Sequence, residues 1–588
     1  MGEFQTVSTF FCVLAGFVLI ALFLGARERK RTREKLRKRL RSEFGRPSSK
    51  KTTRERYAQV SQYYLHHRGG FQIDDITWND LEMDRLFSRM DSTCSAAGEE
   101  YLYYLLRTPA LRAQALPFRQ DQYDWLADKV HEKERICLQE ILTALGHAGR
   151  YSLYDYIDST ESLGERSNLP HYLAAVLPVA AFGLMFLHTG FGILALLLVF
   201  CLNLVTYFRE KGKTAPYFQV FAYILRLLDC AGMLEKQKCP VFREELEEIP
   251  GLLASFSSFR RGSSLLLGSL AGGTDPVGIV LEYVRILFHL DLIKFNNMLG
   301  QMRGRREEID ALLTIAGRID ACISIASWRE TLPWSAVPDL QDGPAESEED
   351  LRRTETEESS ETGPYTFRAR ALFHPLLPEP VENDIEAQRP VLLTGSNASG
   401  KSTFLKAAAL CALLSQAVGI APARSYRGSC FRIFTSMALR DSLQDGESYF
   451  IVEIKSLRRI LEAARDQDQP PVLCCIDEVL RGTNTVERIA ASAEILSRFS
   501  ESETLCFAAT HDLELTGLLG GVYDNLHFSE DILDGDVRFS YKLLPGPSNS
   551  CNAIALLAAL GYEKTIVEAA RRRADGFLEK GTWKMKAG

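Results

Sequence analysis

Gly395-Ser396-Asn397-Ala398-Ser399-Gly400-Lys401-Ser402 is the stretch that decides how this chain of 588 residues is read. It follows a short apolar run, Pro390-Val391-Leu392-Leu393-Thr394. It opens a run of helix formers, Thr403-Phe404-Leu405-Lys406-Ala407-Ala408-Ala409-Leu410. Strand, Gly-x4-Gly-Lys-Ser and helix, in that order, is the setting a phosphate-binding loop requires. Glycines let backbone N–H groups close around phosphate oxygens, and the helix start adds partial positive charge. On this reading Gly395, Ser396, Asn397, Ala398, Ser399, Gly400, Lys401, Ser402 and Thr403 hold ATP. The Lys401 ammonium meets the β- and γ-phosphates, and the Ser402 hydroxyl ligates Mg²⁺.

Working outward, a second apolar run, Pro471-Val472-Leu473-Cys474-Cys475-Ile476, delivers Asp477-Glu478. A carboxylate at a strand end can hold Mg²⁺, which makes Asp477 the second candidate metal ligand. Glu478 is placed to orient and deprotonate an attacking water. A third run, Thr504-Leu505-Cys506-Phe507-Ala508-Ala509-Thr510, ends in His511, a candidate to sense or polarise the γ-phosphate. That order is the one found in an ABC-type P-loop ATPase core. Continuous apolar runs of this length read as buried parallel strands.

At this point the chain resembles the MutS family of DNA mismatch-repair ATPases. Phe373-His374-Pro375 and Glu382-Asn383-Asp384-Ile385 look like elements that precede the loop in that family. Asp441-Ser442-Leu443-Gln444-Asp445-Gly446-Glu447-Ser448-Tyr449-Phe450-Ile451-Val452-Glu453-Ile454 is similar to its segment ending in Ser-Thr-Phe-x-x-Glu-Met. Asp477-Glu478-Val479-Leu480-Arg481-Gly482-Thr483-Asn484-Thr485 and Ala509-Thr510-His511-Asp512-Leu513-Glu514-Leu515 match two more of its motifs, and Ser548-Asn549-Ser550-Cys551-Asn552-Ala553-Ile554-Ala555 resembles its final helix-turn-helix entry. The resemblance is firm over about 365–580 and weaker over 73–108. It implies that Ser448 reaches the nucleotide of a second subunit, so that a homodimer builds two composite sites, and it makes duplex DNA a candidate partner. Two departures stand out: Ser442 replaces an expected Asp, and Tyr449 an expected Thr. The N-terminal mismatch-reading domain has no counterpart.

The rest of the chain is helical and partly membrane-like. Residues 4–26 carry no charged side chain and have a strongly apolar centre, and a dense run of Arg and Lys comes next, from Arg27 to Arg41. About 20 such apolar residues span a bilayer, and the trailing positive charge places the segment after the span in the cytoplasm and the N-terminus outside. A cleaved signal peptide would carry its charge in front. Residues 171–208 form a second apolar block with a break at His188-Thr189-Gly190. It reads as a transmembrane hairpin, with a buried hairpin of a soluble core as the alternative. The expected layout is therefore three transmembrane helices at the cytoplasmic membrane. Between and after them come a basic stalk over 27–70, a helical core-like region over 71–170, and a helical lever-like region over 209–337. An acidic linker over 338–364 and the ATPase domain over 365–588 complete it. The fold class is an α/β P-loop domain C-terminal to an all-α region.

The balance of 69 Lys plus Arg against 76 Asp plus Glu gives a net charge of −7, which does not advertise nucleic-acid binding. Thirteen scattered cysteines include no zinc-ligand spacing and suggest neither a disulfide framework nor a metal cluster. Two functions emerge as expectations. One is a membrane-anchored MutS-like ATPase coupled to mismatched DNA. The other is an ATP-driven membrane switch or scaffold with no DNA role. A transporter component fits less well, since no Leu-Ser-Gly-Gly-Gln signature is present.

Overall fold

The structure, a computed structural model, describes residues 23, 26–28, 30–48, 50, 54–147, 152, 154, 166–260, 276–302, 304–342, 365–396, 399–437, 449–466, 468–481, 483–533, 536–548, 554, 557–558 and 561–580. Most of the apolar stretch 4–26, most of the acidic stretch, Asn397, Ala398 and Ser448, and most of the tail 548–555 lie outside them. The chain divides into two compact units. One comprises Met1–His67, Arg89–Tyr104 and Asp121–Thr331; the other comprises Arg68–Ser88, Leu105–Gln120 and Leu332–Gly588.

The first unit is helical. Its main helices are α1 (Arg54–His66), α2 (Ala96–Arg107), α3 (Glu132–Leu145), α4 (Leu169–Leu187), α5 (Thr189–Leu234), α6 (Pro276–Phe288), α7 (Leu290–Met302) and α8 (Arg306–Arg329). The second half of α5 buries Val220, Phe221, Ile224, Leu227 and Leu228 at helical spacing, and Phe221 meets Phe295 of α7 edge-on at 5.0 Å. The start of α2 is held from α8. Buried Asp320 accepts from Cys94 N at 2.9 Å, Ser95 N at 2.8 Å and Ser95 Oγ at 2.6 Å. Ser95 caps the helix, its Oγ accepting from Gly98 N at 3.1 Å, and the carboxylate brought from another helix fixes that cap. A Cβ on Gly98 would stand 2.3 Å from Asp320 Oδ2, which explains the glycine. The basic stalk is not wholly solvated. Arg33 and Arg37 converge on Glu140 of α3, Arg41 pairs with Glu132, and Leu40 is buried.

Helices α4 and α5 begin as an apolar hairpin. Leu169–Leu187 and Thr189–Thr214 are both long and apolar enough to cross a membrane by length and composition. Their side chains are mostly exposed, as a buried hairpin's would not be.

The second unit is α/β. A six-stranded sheet has the order β10-β9-β4-β8-β7-β6, with β4 (Val391–Thr394), β6 (Arg432–Ser436), β7 (Val472–Asp477), β8 (Thr504–Ala509), β9 (Asp524–Leu533) and β10 (Asp536–Pro545). All pairings are parallel except β9 with β10. A second sheet, β1-β5-β2-β3, joins β1 (Asp339–Gln341), β2 (Phe367–Leu372), β3 (Asn383–Ala387) and β5 (Ser425–Ser429). The strand β1 corrects the linker expected over 338–364: its first residues pair with β5, and Gln341 O accepts from Cys430 N at 2.9 Å. Helices α9 (Lys401–Val418), α10 (Tyr449–Ala464), α11 (Thr485–Ser500) and α12 (Lys564–Lys580) complete the unit.

Segments 68–88 and 105–120, read from sequence as part of a helical region over 71–170, pack with this α/β unit. Asp80 Oδ2 accepts from Thr435 Oγ1 at 2.8 Å and Met437 N at 2.9 Å, beyond β6. Gln416 of α9 exchanges hydrogen bonds with the backbone of Ala110 at 2.9 and 3.0 Å.

Candidate functional site

Strands β4, β8 and β7 lie side by side and point the same way, so their C-terminal ends share one edge. Ligands of open α/β sheets bind outside that edge. Here it carries Gly395, Ser396, Ser399, Gly400 and Lys401 after β4, Thr510-His511 after β8, and Asp477-Glu478 at the end of β7. The loop turns on Gly395, φ 142, and Gly400, φ 111, both in the region that favours glycine. A Cβ on Gly395 would lie 2.7 Å from Phe528 O.

Lys401 opens α9 and is buried, with Nζ 2.8 Å from both Gly395 O and Ser396 O and 3.4 Å from His511 Nε2. Ser402 Oγ donates to Asp477 Oδ2 at 2.5 Å. This brings together the two side chains expected to ligate Mg²⁺. Ser399 Oγ is buried with no hydrogen-bond partner among the described residues, an orphan donor facing into the loop. An ammonium, two hydroxyls, a helix start and a carboxylate at a strand end form a donor set that fits a nucleotide phosphate chain with its divalent ion. When bound there, that ion neutralises phosphate charge; Ser402 and Asp477 are the residues that would hold it.

Glu478 sits in left-handed backbone, φ 61, and its N–H donates to Ala509 O at 2.9 Å. Its carboxylate takes both Nε and Nη2 of Arg481 and lies 3.0 Å from His511 Nε2. Burial works to raise this carboxyl, but the bonds from Arg481 and His511 outweigh it and hold it at about 2. For Asp477 burial prevails, aided by the Glu478 charge, and the carboxyl is raised in spite of Ser402. The loop after Glu478 is fixed from α10: buried Glu453 Oε1 accepts from Leu480 N at 2.5 Å. Arg488 of α11 clamps Asp512 at 2.6 and 2.9 Å, which positions the turn that presents His511.

These groups open onto a cavity of about 460 Å³, in the range of small-molecule sites. Its lining is polar at Lys401, Ser402, Asp477 and Glu478 and largely apolar at Phe373, Leu377, Val381, Phe528 and Tyr541, with His374 among them; apolar and aromatic faces of this kind suit a flat aromatic group. Burial lowers His374 to about 4, so the imidazole is neutral at pH 7.

Residues 391–577 match the family described as MutS domain V. This part of the chain is similar to the C-terminal domain of the MutS family. It is 34% identical over 226 residues to a DNA mismatch repair protein MutS of Thermus thermophilus, covering 36% of this chain and 27% of that protein. It is 38% identical over 202 residues to the protein of the same name from Desulfovibrio desulfuricans, covering 32% and 21%. A DNA mismatch repair protein MutS 2 of Haloarcula marismortui is 33% identical over 185 residues, covering 31% and 19%. The chain thus spans about a quarter or less of the length of these relatives.

This region brings Ser396, Ser399, Gly400, Lys401, Ser402, Thr403, Asp477, Glu478 and His511 onto one cavity. Gly395 shapes the loop beside them, and Ser448 lies outside the described residues. Sequence reasoning passed over Arg481 as the partner of Glu478, although it sits three residues on, at a spacing that permits the pair. It also passed over Phe528 and Tyr541, which come from the antiparallel pair β9-β10. Asn383 bridges that pair to the cavity edge, donating to Tyr541 O at 3.0 Å and accepting from Leu543 N at 2.8 Å.

A carboxyl held at about 2 is ionised at neutral pH but is a weak base, since a general base works best with a pKa near the operating pH. Arg481 therefore holds Glu478 in reserve. In Arg481→Ala, the acid limb of the turnover–pH profile is expected to move to higher pH, because the freed carboxyl gains protons earlier as pH falls. An unmoved limb would mean that Arg481 does not hold Glu478 during turnover.

Proposed function

We propose that this MutS-family chain hydrolyses ATP at the site around Lys401, in pairs of subunits, and that an apolar hairpin holds it at a membrane with the ATPase unit in the cytoplasm. The observation that carries the hydrolytic reading is the convergence of Lys401, Ser402–Asp477 and Glu478 on one cavity. ATP lies with its phosphates over Lys401 and its base against the apolar lining, and Mg²⁺ is held by Ser402 and Asp477. Glu478 takes the proton of the attacking water on its carboxylate, and His511 stands beside both. Ser448 of a second copy completes each site. The names of the relatives support a role in the repair of mismatched DNA.

A second reading, an ATP-driven membrane switch without DNA, is favoured by one specific observation. The hairpin continues without interruption into the core of the helical unit through α5. Full-length protein in detergent or lipid separates the two. Hydrolysis should be lost in Lys401→Ala in either case. Mismatched duplex should bind in a salt-dependent manner, with a slope reporting the phosphates contacted, under the repair reading alone. Turnover retained by Lys401→Ala would sink both; no duplex bound at low salt, with turnover intact, would leave the switch.

A further inference from the structure

The apolar hairpin carries its own depth gauge. Asn203 of α5 is buried; its carbonyl lies 3.1 Å from His289 Nε2, and its Nδ2 donates to Ala174 O of α4 and to Leu287 O of α6, both at 2.8 Å. This sets Leu287 level with Ala174. Two residues later, His289 faces His171, Nδ1 to Nδ1 at 3.1 Å, and its Nε2 lies 3.5 Å from Thr206 Oγ1. His171 is nearer the hairpin's base than Ala174, so α6 runs toward the base and its earlier residues lie nearer the tip. α6 packs along both α4 and α5.

At 1.5 Å per residue, Ala174 lies roughly 20 Å from the tip at Leu187. Glu282, five residues before Leu287, lies roughly 12 Å from the tip. Its side chain is exposed, and Arg285 comes one turn later. The base adds His171, Thr206, Tyr207 and Asp291, with Tyr207 OH donating to Asp291 at 2.7 Å. The tip carries His188 and Thr189, both exposed, between large apolar side chains. Phe186, Leu187 and Phe191 are 77%, 76% and 72% exposed, among the most exposed large apolar side chains in the molecule. No charged residue lies between Tyr172 and Phe208. The turn at the tip leaves little backbone unpaired, since His188 N donates to Leu184 O and Gly192 N to His188 O.

From this we infer that the hairpin dips into a single leaflet and stops near the bilayer centre, with Glu282 and Arg285 marking the headgroup boundary. The inference rests on the reading that the hairpin enters lipid at all. A hydrocarbon core is about 30 Å thick, so one leaflet offers roughly 15 Å, close to the distance from Glu282 to the tip. Crossing completely would draw Glu282 to mid-bilayer, where a charged side chain is costly. It would also bring Phe186, Leu187 and Phe191 out toward the water on the far side. With one leaflet Phe186, Leu187 and Phe191 stay in hydrocarbon, and His171, His289, Asn203 and Thr206 lie at or below headgroup depth. The lipid-facing element also gains a third member, α6, beside the two helices of the hairpin.

The test uses full-length protein in phosphatidylcholine–phosphatidylglycerol vesicles, with a fluorescent amino acid encoded at Phe186 or at Val284. Lipids brominated near the chain end should quench the Phe186 probe most, and lipids brominated near the headgroup should quench the Val284 probe most. Iodide inside or outside the vesicles should not reach Phe186. Quenching of Phe186 by iodide on the side opposite the ATPase unit, with Val284 quenched most by deep bromines, would show a full crossing and overturn the single-leaflet inference alone. No quenching by brominated lipid at either position would overturn the membrane reading itself.

Discussion

Glu478→Gln is expected to lower ATP turnover by about 10²- to 10⁴-fold, the usual contribution of a positioned general base, while leaving nucleotide affinity nearly unchanged. The amide keeps an oxygen for Arg481 or His511 but cannot take a proton. Asp477 is engaged by Ser402 at 2.5 Å, and Lys401 is turned onto the loop carbonyls. Single-turnover hydrolysis measured beside a nucleotide-binding titration separates a lost base from a lost site. Unchanged turnover would remove Glu478 from its role and point to a water activated without it. Lost affinity with lost turnover would mean that the substitution had disturbed the loop between β7 and α11.

The second large effect belongs to the helical unit. Asp320→Ala would leave Cys94 N, Ser95 N and Ser95 Oγ without their acceptor. Unsatisfied buried groups cost about 1–3 kcal/mol each, so a loss of roughly 3 kcal/mol or more is expected. It should be read as faster amide exchange over 94–107 in the full chain. The carboxyl also carries a pH dependence. Burial raises it from an ordinary 3.8 to about 6, against the pull of Ser95 and Cys94. The folded protein therefore binds this proton more tightly than the unfolded chain does. That contribution to stability is fully present below 3.8 and is lost as pH rises through about 6. Asp320→Asn keeps one acceptor, should cost less than the alanine, and should flatten the stability–pH curve across that window. Exchange over 94–107 as slow in Asp320→Ala as in the unchanged chain would show that the helix start is held by something other than this carboxylate.

Legibility in the sequence tracked the strength of local signals. Val391–Thr394, Val472–Asp477 and Thr504–Ala509 are unbroken apolar runs that stop at a glycine, an acidic pair and a Thr-His step. Burial of both strand faces writes such runs directly into the residues. The loop glycines announced themselves in the same way. Partnerships made over long separations were not legible. Phe528 and Tyr541 reach the cavity because β9 and β10 fold back beside β4 from more than 130 residues downstream. Asp80 joins β6 across more than 350 residues, which is why a stretch of helical periodicity belonged to the α/β unit. The stalk misled for another reason. Its basic run looks uniform, and only the positions of Glu132 and Glu140 on α3 show which arginines are docked.

Helix α5 has one further consequence. Its 46 residues rise roughly 69 Å, and a single hydrogen-bonded rod carries both the exposed Phe191 and the buried Phe221. A force on the tip and a change in packing around Phe221 are then two loads on the same beam. Its sequence includes Pro216, which has no N–H to give, so the beam has one place where a backbone bond is missing and bending is cheapest. On the proposed membrane reading, tension in the lipid would be registered at that point, between the hairpin and the part that buries Phe221.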